Sequence, residues 1–275
     1  MDPRIVLTRA CIACGEHAHV PYVRSLVACR TCGMVYFPGL LTREENIALY
    51  GPKYFLSAEY AHYLADRSIH EVNFRDRIRT LRQWLPQGKH LFEIGSAYGF
   101  FLNLAKHYWH VEGCDIAEEP CRYAQSSFDL DIHCGEFADL PLPEQSVDAL
   151  CMWDTIEHID ALDRTLTQAA RVLRPGGILA LTTGDIGSVL ARVQGSRWRQ
   201  IHPPTHLWYF SRKTLFHTLE RFGFESKWSR HIGIWRSVSQ IVHGLTGHTV
   251  PALSRMAIPL NTYDLLMVIA RRSTI

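Results

Sequence analysis

The second two thirds of the chain alternates between short apolar runs and segments with helical periodicity. Seven runs have the length and apolar content of strands: HLFEIG, HVEGCDI, DIHCGE, VDALCMW, GILALTTG, the run from Phe224, and LLMVIA. Between them, stretches such as 119–128 and 160–173 repeat apolar residues at helical spacing. Strands that alternate with helices of about 10–15 residues indicate βαβ units. We therefore predict an α/β fold with a mostly parallel seven-stranded sheet and helices on both faces.

The first third of the chain has a different pattern. Residues 1–37 contain paired cysteines and little helical periodicity, and 38–58 contain linker residues such as Pro38 and Gly51. From about residue 59 to 85 apolar side chains return at near-helical spacing, until Pro86 and Gly88 end the pattern. We predict a small cysteine module at 1–37, a linker and N-terminal helical lid at 38–88, and the main domain at 89–275.

Composition narrows the class of protein. The 275 residues are 47% hydrophobic and 20% charged, with a net charge of +2 and no run of like charges. This balance is that of a globular protein and argues against a dedicated nucleic-acid-binding protein. No apolar stretch is long enough to span a membrane, and the first residues lack the apolar core of a secretory signal. We therefore expect a cytoplasmic protein with reduced cysteines; its oligomeric state stays open.

Four of the eight cysteines form two CxxC pairs, CIACG and CRTCG, separated by 14 residues. Four thiolates at this spacing can close a tetrahedron around zinc and leave no open coordination position, so the site would be structural. The glycine after each pair permits a tight turn. We predict a zinc ribbon that uses Cys11, Cys14, Cys29 and Cys32. Such a ribbon can bind nucleic acid, bind protein, or only brace the fold, and the sequence leaves these alternatives open.

The stretch FEIGSAYGF follows the first predicted strand of the main domain. Its small residues Gly95, Ala97 and Gly99 are two apart each time, which is the wrong spacing for the dinucleotide pattern G-x-G-x-x-G. Glu93 at the end of the strand would repel a phosphate. An acid at this place instead suits a cationic ligand.

These residues resemble motif I of class I S-adenosylmethionine-dependent methyltransferases, an acid followed by G-x-G-x-G. Further elements agree in order: Asp115 ends the second strand, CGEFADLPLPEQSVD is similar to the segment over adenine, and WDTIEHI and LRPGG are similar to the segments around strands four and five. The resemblance runs from about residue 54 to 272. It implies a Rossmann-like fold, S-adenosylmethionine as cofactor and a methyl acceptor as partner.

The resemblance also implies a set of cofactor-binding residues: Tyr54, Tyr63, Glu93, Gly95, Ser96, Ala97, Gly99, Asp115, Ile116, Glu136, Phe137, Trp153 and Asp154. Ala97 departs from the family pattern, which has glycine at this position. Its methyl group would lie where the cofactor approaches closely. We expect it to be tolerated if the backbone there has a negative φ. The tyrosine-rich segment 53–66 either closes over the pocket as a lid or simply packs as an N-terminal helix.

The segment GSRWRQIHPPTHLWYFS, residues 195–211, follows the fifth predicted strand and is rich in histidine, proline and aromatic residues. Its P-P-x-H-L-x-Y-F-S pattern resembles a methyltransferase branch with N-terminal zinc knuckles. We take His206 as the candidate catalytic base and His202 as a weaker one; a purely structural role for His206 stays open. Asp154, Glu157 and His158 resemble the acid-and-histidine segment of ubiquinone-pathway O-methyltransferases, and either hold a turn or bind a metal ion.

Three functions follow from these observations. The leading hypothesis is methyl transfer to a small-molecule acceptor with an oxygen, nitrogen or carbon nucleophile. The first alternative is an RNA methyltransferase whose zinc ribbon binds RNA. RNA binding should show a basic patch, and the near-neutral net charge of the chain argues against one. The second is a non-catalytic binding protein with the same fold. The sequence does not identify the acceptor.

Overall fold

The computed structural model describes residues 9–40, 42, 45, 49, 63–239, 241–242 and 256–273. The strands are β1 (His19–Pro21), β2 (Val27–Cys29), β3 (Val35–Tyr36), β4 (His90–Ile94), β5 (His110–Asp115), β6 (Asp131–Cys134), β7 (Val147–Trp153), β8 (Leu173–Gly184), β9 (Trp208–Tyr209), β10 (Phe224–His231), β11 (Ile234–Ser237), β12 (Ala257–Leu260) and β13 (Leu265–Arg272). The helices are α1 (Arg67–Trp84), α2 (Phe100–Ala105), α3 (Glu118–Phe128), α4 (Leu162–Val172), α5 (Val189–Gln194) and α6 (Arg212–Arg221).

The predicted central sheet is confirmed. Its seven strands have the order β6-β5-β4-β7-β8-β13-β10. Neighbouring strands from β6 to β8 are parallel, whereas β13 is antiparallel to both β8 and β10. The strand order reverses between β4 and β7, and in open α/β sheets ligands bind beyond the carboxyl ends of the strands at such a point.

Helices cover both faces of this sheet, which is why its strands are apolar on both sides. On one face, α1, α2 and α3 contribute Phe74, Phe101 and Ala124 to a buried cluster. On the other face, α4 and α6 contribute Leu166 and Leu215. In the part of the chain that the structure describes, no helix is long and apolar enough to cross a membrane.

The N-terminal cysteine module is built into a second sheet, of order β1-β2-β3-β9. Its last strand, β9, comes from the histidine-rich segment of the main domain, and Val35 pairs with Tyr209 across this junction. Phe37 N also donates to Leu207 O at 2.8 Å. At the other end of the module, the Nη1 atom of Arg221 donates to Ile12 O at 2.9 Å. The module is therefore joined to the main domain through backbone hydrogen bonds.

Several predicted elements differ in detail from the observed ones. Residues 59–62 lie outside the described part, and α1 begins at Arg67 after a turn. Helix α2 is short: it ends at Ala105, after which the chain turns into β5. The hairpin of β11 and β12 was not predicted. Ser211 caps α6, and it shares a capping box with Thr214.

Candidate functional site

A cavity of about 410 Å³ opens at the carboxyl ends of the central strands. Its walls are the loops after β4, β5, β6 and β7, one side of α1, and the strand β11. This volume lies within the roughly 300–1,000 Å³ that is usual for small-molecule sites. The cavity occupies the point where the strand order reverses.

The turn after β4 forms the floor of this cavity. Gly95 has φ +75°, and a Cβ atom there would lie 2.5 Å from the Cγ2 atom of Thr155. Gly99 has φ +74°, and its Cβ would lie 2.8 Å from the Cβ of Ala124 in α3. The first glycine therefore allows close approach beside the cavity, and the second allows two helices to pack closely.

Ala97 does not meet the condition under which we expected its methyl group to be tolerated. Its φ is +45°, in the left-handed region, and not negative. The conformation is held by Asp115, whose Oδ2 atom accepts from Ala97 N at 2.8 Å while Oδ1 accepts from Ala117 N at 2.9 Å. Asp154, across the cavity, is also left-handed at φ +53°. Backbone strain of this kind persists where the surroundings impose it, often at functional sites.

Several buried polar atoms in the cavity wall have no hydrogen-bond partner in the part of the chain that the structure describes. Among the described residues, these include Glu93 Oε2, Ser96 Oγ and Trp153 Nε1. Burial raises the pKa of Glu93 well above its ordinary value; the charge of Arg77 opposes this shift and that of Asp115 adds to it. Because buried polar groups normally have partners, these atoms indicate a site for a polar ligand. A cation beside Glu93 would restore its ionised form.

Arg77 is a site residue that the sequence reasoning missed. Its Nη2 atom contacts Asp154 Oδ2 at 3.0 Å, and its guanidinium lies 5.1 Å from the centre of the Trp153 ring. Thr182 Oγ1 donates to the other oxygen of Asp154 at 2.9 Å. A signal was available, because Arg77 interrupts the apolar stripe of α1 that includes Phe74 and is itself buried.

Three histidine rings meet at one end of the cavity. His158 lines the cavity, and its Nδ1 atom lies 2.9 Å from the Thr205 carbonyl oxygen. Burial lowers the pKa of His158 to about 4, so the ring is neutral at neutral pH. The centre of the His206 ring lies 4.4 Å from that of His158 and 3.8 Å from that of His202. His206 and His202 do not line the cavity; they lie behind His158.

Glu157 supports this histidine group from the other side. Its backbone carbonyl accepts from Leu207 N at 2.8 Å, which ties the turn after β7 to the segment that contains His206. Burial, and next the charge of Asp154, raise the pKa of the Glu157 carboxyl to about 8. The backbone of Glu157 therefore joins the turn to this segment; whether the Asp154, Glu157 and His158 side chains hold the turn or bind a metal ion stays a prediction.

The cavity wall also contains cationic and aromatic residues that were not predicted. Trp235 and Arg236 of β11 line the cavity, as does Arg199 from the loop before β9. Asn73 of α1 holds β11 in place: its Oδ1 accepts from Trp235 N at 2.7 Å, and its Nδ2 donates to Trp235 O at 3.1 Å. No local motif marks Trp235 and Arg236, because β11 reaches the cavity through its contact with α1.

The four paired cysteines meet at the end of the small sheet. Their sulfur atoms all lie within 4.8 Å of one another, with Cys11 Sγ 3.5 Å from Cys32 Sγ and Cys14 Sγ 3.5 Å from Cys29 Sγ. Burial would raise the pKa of Cys29, but the backbone N–H groups of Cys32 and Thr31 lower it to about 7. The cluster is suited to a soft cation.

Comparison with known proteins assigns the chain to a family. A family model described as a methyltransferase domain matches residues 60–227, more than half of the chain. The chain belongs to this methyltransferase-domain family. The prediction from the motif I resemblance is confirmed at this level.

Characterised relatives share the methyltransferase domain. The chain is 28% identical over 152 residues to the malonyl-[acyl-carrier protein] O-methyltransferase of Methylococcus capsulatus. The matched region covers 52% of this chain and 54% of that protein. The chain is also 26% identical over 114 residues to a ubiquinone biosynthesis O-methyltransferase of Coxiella burnetii, covering 39% and 49%. The chain thus spans about half the length of these relatives.

Solved methyltransferase structures share the fold. A S-adenosylmethionine-dependent methyltransferase of Archaeoglobus fulgidus superposes with a TM-score of 0.56 at 17% identity, covering 76% of this chain and 99% of that one. Another, from Thermotoga maritima, gives 0.55 at 21% identity, covering 78% and 95%. The predicted Rossmann-like fold is confirmed.

The structure brings most predicted cofactor residues of this methyltransferase domain to the cavity wall. The residues in question are Tyr63, Glu93, Gly95, Ser96, Ala97, Asp115, Ile116, Glu136, Phe137, Trp153 and Asp154. Gly99 caps α2 and does not line the cavity, and Tyr54 lies outside the described residues. Tyr63 stacks on His70 with ring centres 4.2 Å apart. Their roles toward the cofactor, and the lid, stay predictions.

Proposed function

We propose that this protein transfers a methyl group from S-adenosylmethionine to a small-molecule acceptor by in-line displacement. The observation that supports it most is Glu93, a buried carboxyl with an oxygen that lacks a partner among the described residues, in a cavity at the switch point of the sheet. When bound, S-adenosylmethionine supplies an electrophilic methyl group on a positively charged sulfonium. The enzyme then mainly has to align the acceptor with that methyl group.

Different acidic residues suit different parts of the cofactor. Glu93 suits the cationic methionine part, since burial strengthens its attraction to a positive charge. Asp115, at the end of β5, is placed where such folds hold the ribose hydroxyls. Glu136 and Phe137, after β6, line the part of the cavity that the family resemblance gives to adenine.

His158 and the two histidines behind it, His206 and His202, form what we call the histidine wall, and we assign it to the acceptor side of the cavity. His158, rather than His206, lines the cavity, and it is neutral at neutral pH. Its Nδ1 atom can donate to the Thr205 carbonyl, which places the lone pair of the neutral ring on Nε2. We therefore assign proton acceptance or hydrogen bonding to His158 and the positioning of its ring to His206 and His202.

The cationic wall favours an acceptor with an anionic group. Arg199 and Arg236 line the cavity together with Trp235. Asp264 is fully buried, and its Oδ1 atom lies 3.4 Å from Arg199 Nη2. A guanidinium can bind a carboxylate or phosphate through two parallel hydrogen bonds. The acceptors named for the two relatives differ from each other and do not define this one.

The cysteine cluster fits structural zinc. Gly15 and Gly33, which follow the two pairs, have φ of +83° and +78°, the tight turns that a zinc ribbon requires. Four sulfur ligands leave no coordination position for chemistry. We propose that zinc braces the sheet to which β9 belongs. A cytosolic location, where thiols stay reduced, also remains a prediction.

Cofactor binding is tested by thermal shift with S-adenosylmethionine. We expect stabilisation of the wild type, strong loss of it in Glu93→Gln, and no loss in Glu220→Gln, an exposed control on α6. If the cofactor does not stabilise the wild type, the protein is a non-catalytic relative or the site is placed wrongly.

The acceptor is tested with a metabolite extract, the protein and an isotopically labelled methyl donor. We expect a labelled small molecule that an anion-exchange column retains, and a strongly reduced yield in Arg236→Gln with cofactor stabilisation unchanged. Label in RNA, with binding that weakens as salt rises, would instead favour the RNA methyltransferase. His158→Asn should reduce turnover more than His206→Asn; the reverse would return the base to His206.

A further inference from the structure

A second group of possible metal ligands lies at the edge of the central sheet, away from the cavity. It comprises His90 of β4, His110 and Glu112 of β5, and Asp131 and His133 of β6. Register places His90 beside His110, Glu112 beside Asp131, and Cys114 beside His133. Because side chains alternate along a strand, all five point to the same face of the sheet.

The nitrogen atoms of these histidines converge on one carboxylate. Glu112 Oε1 lies 3.1 Å from His90 Nε2 and 3.2 Å from His110 Nε2. The other oxygen, Oε2, lies 3.6 Å from His133 Nε2. The candidate ligand atoms of His90, His110 and Glu112 all lie within 4.8 Å of one another. The two carboxylates of the group, Glu112 and Asp131, cannot neutralise three imidazolium ions, so protonation of all three histidines does not account for the whole arrangement.

The environment of His90 fixes which nitrogen faces the carboxylate. Its Nδ1 atom lies 3.2 Å from the carbonyl oxygen of Ser146, and only a protonated nitrogen can bond to a carbonyl. In the neutral ring, Nε2 then presents a lone pair to Glu112 Oε1. Although the two atoms are close, His90 Nε2 is buried and has no hydrogen-bond partner among the described residues; the same is true of His133 Nε2. Two lone pairs at this distance repel each other unless a cation or a proton lies between them.

This is the arrangement of a metal-binding histidine, whose other N–H is bound to a backbone carbonyl. We propose that His90, His110 and Glu112 bind a divalent transition-metal ion of the Zn²⁺ or Co²⁺ type, with His133 and Asp131 beside it. Two imidazoles and one carboxylate are the ligand set that such ions accept. The site is separate from the cysteine ribbon and lies toward the amino ends of β4 and β5, whereas the cavity lies at their carboxyl ends.

The test uses the full chain with its ribbon loaded with zinc. Zinc content is counted by native mass spectrometry after a Zn²⁺ titration. We expect two ions per wild-type chain, one of which a chelator removes first. His110→Ala and Glu112→Gln should keep only the chelator-resistant ion and weaken the second binding step by about tenfold or more. His107→Ala, an exposed histidine in the turn before β5, should keep both.

Co²⁺ distinguishes the new site from metal exchange at the ribbon. Added to the zinc-loaded protein, Co²⁺ should give d–d absorption bands without a thiolate charge-transfer band, and His110→Ala should abolish those bands. The side chain of His110 is 66% exposed, so this variant should fold normally. A single zinc ion per wild-type chain, or a second ion that survives both His110→Ala and Glu112→Gln, would overturn the proposal. In that case Glu112 serves only as an ion-pair partner for histidine.

Discussion

Val35 of the cysteine ribbon lies opposite Tyr209 of β9, three residues after His206 in the chain. The two strands share one antiparallel sheet, so the ribbon contacts the methyltransferase domain through the same segment that packs against His158. The ribbon is therefore in a position to fix the histidine wall of the cavity without contributing a residue to it.

Loss of metal from the ribbon should loosen this segment. Cys14→Ser is expected to abolish zinc binding at the ribbon and to speed amide exchange at Phe37 and Leu207. The Phe37 amide donates to the Leu207 carbonyl, and the Leu207 amide donates to the Glu157 carbonyl. Exchange in the central strand β7 should stay slow. Hydrogen-exchange mass spectrometry measures both, with the exposed Cys134→Ser as control. Unchanged exchange at Leu207 would mean that the ribbon does not brace the histidine wall.

Gly95→Ala should abolish cofactor binding. The added methyl would lie 2.5 Å from the Thr155 side chain, beside the cavity, at a φ of +75°. Gly176→Ala is a matched control, because Gly176 has the same φ and a Cβ there meets nothing within 4 Å. Both variants should lose about 1 kcal/mol from backbone strain. Calorimetric titration with S-adenosylmethionine should detect binding only in Gly176→Ala; binding in both would mean that this turn does not contact the cofactor.

Ala97→Gly should stabilise the protein by up to about 1 kcal/mol, because it removes a left-handed alanine. Ala117→Gly, at a φ of −90°, should instead destabilise it by a similar amount. Chemical denaturation of both variants measures the free energy of unfolding. If Ala97→Gly is destabilising, the alanine methyl makes a packing contact that outweighs the strain.

Glu157→Gln should change how stability depends on pH. The carboxyl has its pKa raised from 4.5 to about 8 in the folded protein, first by burial and then by Asp154. A raised carboxyl pKa stabilises the fold at low pH, and this contribution is lost as pH rises from about 4.5 to 8. Glutamine cannot ionise, so the variant should gain stability relative to wild type over this window, by roughly a few kcal/mol.

Thermal unfolding at pH 5 and pH 8, without cofactor, measures this gain. Glu220→Gln, an exposed residue on α6, serves as the control and should show no pH-dependent difference from wild type. Equal pH dependence of Glu157→Gln and wild type would show that Glu157 stays ionised in the folded protein.

The sequence predicted the parts that depend on local pattern. The apolar runs identified the seven strands, and the motif after β4 identified residues such as Glu93 that line the cavity. The motif indicated a histidine close to the site, but it could not show which of His158, His202 and His206 reaches the cavity surface. That choice depends on how the turn after β7 packs.

The residues that were missed reach the site through distant pairings. Trp235 and Arg236 reach the cavity because Asn73, far away in the chain, bonds to the backbone of Trp235. The two-residue strand β9 is too short for any periodicity to mark it. The positive φ of Ala97 could not be predicted from the motif, because the strain there is imposed by Asp115, which lies on a different strand.

The pairing of β3 with β9 also affects how this protein can be divided. A fragment that starts after residue 37 would keep the whole central sheet and the cavity. It would also leave the backbone of Trp208 and Tyr209 as an uncovered strand edge beside apolar side chains that the ribbon now covers. Uncovered edges pair with other chains. The shortened protein should therefore aggregate during expression, although every residue of its cavity is present.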